Sequence, residues 1–108
     1  MKQLKDPETL EALRREKPIL IVQFGADTCG PCRALRERLR RWEQTHPGVF
    51  CLYVSVPDFP ALCAQMGVFT VPVISVYVQG RLTLQQSGCF SLDQMLQQVE
   101  KYRRLLEE

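Results

Sequence analysis

The spacing of apolar positions changes several times along the chain, and each change marks an element. Leu10 and Leu13 share a helical face behind Asp6-Pro7, where aspartate caps a helix and a first-turn proline gives up no hydrogen bond, so residues 7–16 are expected to be helical. Lys17-Pro18 breaks that helix. The run Ile19-Leu20-Ile21-Val22-Gln23-Phe24 is nearly all apolar and β-favouring, the pattern of a central strand covered on both faces. Helical spacing returns with Leu35, Leu39 and Trp42, predicting a helix over residues 33–45 that His46-Pro47-Gly48 stops. Residues 49–56, dominated by β-branched and aromatic side chains, predict a second buried strand. With a helix between them, the two strands should lie parallel through a right-handed crossover.

Pro57, Asp58 and Pro60 open a short helix over residues 59–66, ended by Gly67. Residues 71–78 predict a third strand, and Gln79-Gly80 turns it into residues 81–87, an antiparallel hairpin. Ser91 can cap a last helix whose stripe of Leu92, Met95, Leu96, Val99 and Tyr102 packs on the sheet. No repeat, linker or low-complexity segment interrupts the plan. A chain of 108 residues is the size of one domain, expected over residues 1–108, and buries a core without disulfide staples.

A net charge of +2, with the arginines gathered in one stretch rather than interleaved with stacking aromatics, argues against nucleic acid. No apolar run approaches a membrane span, and the N-terminus has no apolar segment behind its lysines, so no membrane contact and a cytoplasmic location are expected. Five cysteines, at positions 29, 32, 51, 63 and 89, form an odd set unlike a secreted disulfide scaffold. Nothing in the sequence requires more than a monomer.

The close pair, Cys29-Gly30-Pro31-Cys32, sits where a strand hands over to a helix. Two cysteines at that spacing on a helix start can face each other closely enough to close a disulfide. Unpaired N–H groups and the positive end of the helix dipole favour a thiolate at Cys29, the proposed nucleophile. Cys32, one turn in, is shielded and placed to resolve the mixed disulfide that Cys29 forms. Pro31 presets a helical torsion, and Gly30 allows a partner chain to approach. The same spacing is half of a zinc knuckle, but the second half is missing and the one histidine, His46, lies in a Pro-Gly turn. Redox chemistry with no metal is therefore favoured over a metal site.

From Ile19 to the last helix the chain resembles thioredoxins. The matching stretches are the Ile19 to Phe24 run before Cys29-Gly30-Pro31-Cys32, then Gly67-Val68-Phe69-Thr70-Val71-Pro72, Gln79-Gly80 and Gly88. The resemblance implies an α/β fold, a mixed sheet of about four strands flanked by helices. It implies a thiol-disulfide oxidoreductase that reduces protein disulfides, is recycled by a separate reductase and needs no cofactor beyond its own cysteine pair. It also implies that Pro72 is cis and lies against the sulfurs, where the residues alone allow an ordinary trans strand-opening proline. Thr28, Thr70, Val71, Pro72 and Gly88 would then rim the substrate surface, with Cys89 beside them.

The chain departs from the family pattern at several points. Thr28 stands where a tryptophan is usual. Gln23 replaces a buried acid and cannot act as a base, and Tyr53 replaces the lysine that accompanies it, so both members of a charged pair are gone together. Glu37 replaces a helix-kinking proline, which predicts a straighter helix. The family's first strand is expected to be absent. These departures keep open a second reading, a binding module of the same fold with weak or partner-restricted redox activity. Cys51 and Cys63 read as small buried hydrophobes. Arg33, Arg36, Arg38, Arg40 and Arg41 read as a solvated helix face rather than a field acting on Cys29.

Overall fold

The structure, a computed structural model, describes residues 1–107. Its elements in chain order are β1 (Lys2–Gln3), α1 (Pro7–Glu16), β2 (Ile19–Gly25), α2 (Gly30–Gln44), β3 (Phe50–Ser55), α3 (Pro60–Gln65), β4 (Val73–Val78), β5 (Arg81–Ser87) and α4 (Leu92–Leu106). The strands form one mixed sheet ordered β1-β3-β2-β4-β5. β3 runs parallel to β1 and β2, whereas β4 is antiparallel to both β2 and β5.

β2 is central, and all its residues are buried, as a two-sided apolar run requires. Its side chains alternate between two cores. Leu20, Val22 and Phe24 join Leu10 and Leu13 of α1 and Cys63 of α3, while Ile19 and Ile21 join Leu39 of α2 and Leu92, Leu96 and Val99 of α4. Helices thus cover both faces. Gln23 is the polar residue in this strand, and it faces the α2 side.

Local chemistry explains the element ends. Asp6 accepts the Thr9 N–H at 3.0 Å and the Thr9 hydroxyl at 2.9 Å, with Pro7 opening α1. Ser91 caps α4 by accepting the Gln94 N–H at 3.2 Å. The β4–β5 hairpin turns through Gln79 (φ 51°) and Gly80 (φ 83°), the two positive torsions of a tight turn whose twist matches that of the strands.

The expected sheet of about four strands is present as β2 to β5, and a fifth, β1, precedes α1 where none was expected. At two residues it is too short to show alternation; it exists because Lys2 and Gln3 pair with Leu52 and Tyr53, a tertiary contact. β4 begins at Val73 rather than residue 71, and the Val71-Pro72 peptide bond just before it is cis. α2 begins at Gly30, earlier than residue 33, because Cys29 caps it.

Candidate active site

The first turn of α2 organises both close cysteines. Cys29 has extended backbone torsions, and its Sγ accepts the Cys32 N–H at 3.2 Å, so the sulfur itself is the helix cap. The single capping atom that a Ser or Asp side-chain oxygen usually supplies is here a sulfur, which carries negative charge more readily beside an N–H and the helix dipole. The two Cα atoms are 5.2 Å apart and the sulfurs are joined as a disulfide. Cys29 is partly exposed, whereas Cys32 is wholly buried. Gly30 faces open space, and Pro31 occupies the first turn without an N–H to waste.

Beneath Cys32, Gln23 donates from Nε2 to the Cys32 carbonyl at 2.7 Å, tying α2 to β2. Gln23 is fully buried, and its Oε1 has no partner. Across the parallel register it pairs with Tyr53, whose ring lies under the Arg36 guanidinium at 4.1 Å from the centroid. Burial pushes the Tyr53 phenol up from its usual range, with Arg36 opposing. Gly25 closes this layer: a Cβ there would stand 2.7 Å from the Tyr53 hydroxyl and 3.1 Å from Cys32 Cβ. Gly25 was missed in the sequence, where a glycine ending a strand reads only as a loop signal.

The remaining predicted positions gather at the same end of the sheet. Phe24 pairs with Val73, so the antiparallel register carried one step further sets Pro72 opposite Gly25. The Gly88 N–H donates to the Pro72 carbonyl at 3.1 Å, and Gly88 has φ 70°. Thr28, Thr70 and Gly88 are exposed, Val71 is half-buried and Pro72 is buried. Phe69, which the sequence offered only as part of a matching stretch, is 77% exposed on the segment leading to the cis bond.

The other candidates separate from this centre. Cys51 and Cys63 are buried and unpaired, and burial raises both thiol pKa values, most strongly at Cys51. Cys89 is free and exposed. Of the α2 arginines, Arg38 pairs with Asp93, while Arg40 and Arg41 reach Glu37 at 2.8 and 3.2 Å and hold its carboxyl down at about 2. His46 stacks on Trp42 and contacts Glu100 at 2.9 Å, away from the pair. Among the described residues, no cluster of three or more His, Cys, Asp or Glu could hold a metal, and no helix is long and apolar enough to cross a membrane. A groove of about 400 Å³ between β5 and α4, lined in part by Leu84, Phe90 and Met95, contains neither Cys29 nor Cys32.

Comparisons with known proteins agree with this geometry. The thioredoxin family model matches residues 1–101. Thioredoxin 1 of Chlorobaculum tepidum is 31% identical over 96 residues, spanning 87% of this chain and 95% of that protein. The thioredoxin of Alicyclobacillus acidocaldarius is 29% identical over 97 residues, spanning 89% and 91% respectively. In fold, a mutant thioredoxin from Halobacterium salinarum superposes with a TM-score of 0.83 at 24% identity, covering 94% of this chain and 88% of that one. With a whole Cys-Gly-Pro-Cys pair closed at a helix start and a family match along nearly its full length, the chain belongs to the thioredoxin family and is a thiol-disulfide oxidoreductase acting on protein disulfides.

Proposed function

We propose that Cys29 is the attacking thiolate and Cys32 the resolving thiol of this protein-disulfide reductase. Cys29 Sγ attacks one sulfur of a substrate disulfide; that S–S bond breaks, and the first substrate thiolate leaves and takes up a proton. Cys32 then gives up its proton and attacks Cys29 Sγ, the mixed disulfide breaks, and the second substrate thiolate is released. Two electrons pass to the substrate and the Cys29–Cys32 bond remains. The observation that carries this assignment is the division of labour in one helical turn, with the capping sulfur of Cys29 partly exposed and Cys32 sealed.

In this reading Thr28, Thr70, Val71, Pro72 and Gly88 form the rim on which an extended substrate segment lies, and Gln23 and Tyr53 support Cys32 from below. The chain works as a single-domain monomer with no bound cofactor. A separate reductase reopens the pair, which makes the chain a carrier in an electron-transport sequence. A cytoplasmic site of action is supported by three thiols that remain free, as a reducing compartment allows. A binding module without turnover is not favoured, because the pair is complete and closed.

The test is reduction of a protein disulfide such as that of insulin, with dithiothreitol recycling the pair. Multiple turnovers are expected from the native chain. The Cys32→Ser variant should stall as a mixed disulfide through Cys29; stalling through Cys89, or no adduct at all, would overturn the assignment.

A further inference from the structure

The unpartnered Oε1 of Gln23 is the one feature under the pair that the exchange reaction does not use. Its orientation is fixed: the Cys32 carbonyl only accepts, so Nε2 must face it at 2.7 Å and Oε1 must point elsewhere. There the acceptor is fully buried without a donor, an unfavourable state for a polar atom. The side chains beside it on the α2 face come from its register partners, Tyr53 and Ile74. Ile74 has no donor. The Tyr53 hydroxyl lies toward Gly25, 2.7 Å from where a Cβ there would stand, and does not bond Oε1. Two backbone donors of the turn above are also engaged, since the Cys32 N–H meets Cys29 Sγ and the Arg33 N–H meets the Cys29 carbonyl.

All of this describes the closed pair, and a disulfide sulfur has no hydrogen to give. Opening the pair creates one new buried donor, the S–H of Cys32, the residue whose carbonyl Gln23 already holds. We propose that Gln23 Oε1 is a redox-linked hydrogen-bond acceptor, unsatisfied in the disulfide and filled by the Cys32 thiol in the dithiol, so that this glutamine biases the pair toward its reduced form. The proposal rests on the cycling of Cys29 and Cys32 described above, and makes Gln23 a positioning residue for Cys32. The Nε2 bond to the Cys32 carbonyl serves both states, so it tethers α2 and cancels from the redox equilibrium; only Oε1 distinguishes them.

The experiment equilibrates the native chain and the variants Gln23→Leu and Gln23→Met with glutathione buffers. Two glutathione thiols supply two electrons and two protons, and one glutathione disulfide and the protein dithiol result. Both variants keep an unbranched or similar-sized apolar chain in a strand, so if one fails to fold the other still reports. Loss of the acceptor should shift the equilibrium about fivefold toward the protein disulfide, a potential about 20 mV lower. The infrared S–H stretch assigned to Cys32, by its disappearance in Cys32→Ser, should move in the same variants, while those of Cys51 and Cys63 stay in place.

An unchanged equilibrium constant, or a changed one with an unmoved Cys32 stretch, would overturn the role of Gln23. A native chain that never equilibrates with glutathione would instead sink the catalytic reading beneath it. The two failures are therefore distinct.

Discussion

Cys32 and Cys51 are equally sealed from solvent beside the same face of the sheet, yet their surroundings lead to opposite chemistry. Cys32 stands one turn into α2, with Cys29 at a Cα distance of 5.2 Å offering a sulfur that reaches the surface. Cys51 stands near the start of β3 among Leu39, Ile21 and other apolar side chains, and its own N–H is bonded to the Glu43 carboxylate at 2.8 Å. Burial, with the negative Glu43 nearby, holds the Cys51 thiol firmly protonated. Burial alone therefore does not set a cysteine's role; a helix start and an accessible partner do.

The largest effects should separate the two kinds of cysteine. Cys29→Ser should drop disulfide reduction to the uncatalysed background, whereas Cys51→Ala should keep activity within about twofold, because it touches no reacting atom. Substantial activity in Cys29→Ser would break the comparison. Gly25→Ala comes next. Its Cβ would crowd the Tyr53 hydroxyl and Cys32 Cβ, costing about 1–3 kcal/mol, and each 1 kcal/mol lowers Tm by roughly 4–8 °C in a domain of this size. Gly30→Ala, facing open space on the same helix, should leave thermal stability unchanged or slightly raised.

Smaller effects sharpen the picture of the inert thiols. Cys51→Ala should cost about 1–2 kcal/mol in denaturant unfolding through the void it leaves, while Cys89→Ser on the surface should stay within about 0.5 kcal/mol. Stability should also respond to alkali. Cys51 and Cys63 have native pKa values raised above their ordinary 9.0, so their contribution is whole below that pH and is lost as pH climbs from there through the raised values. Denaturant unfolding from pH 8 to 11 should show this decline, and the Cys51→Ala variant should show less of it.

The sequence made the plan of the fold legible because its signals were local. Asp6-Pro7, Ser91 and Gln79-Gly80 act within a turn, and the all-apolar run of β2 announced a central strand. The reactive pair was legible for the same reason, since one short motif holds both sulfurs. What escaped depends on contacts between distant segments. β1 exists through pairing with Leu52 and Tyr53, and the need for glycine at position 25 comes from Tyr53 on a neighbouring strand. The unfilled acceptor of Gln23 likewise emerges only when α2 is laid over β2. Glu37, read as allowing a straighter helix, also turned out to gather Arg40 and Arg41 on the exposed side of an unbroken α2.

How easily the outer sulfur ionises decides whether the pair can attack a disulfide. In the reduced chain, the rate of Cys29 alkylation by iodoacetamide should reach half its plateau well below pH 8.5, the midpoint of a free cysteine at about that value. A midpoint at or above that of an unstructured peptide carrying the same four residues would contradict it.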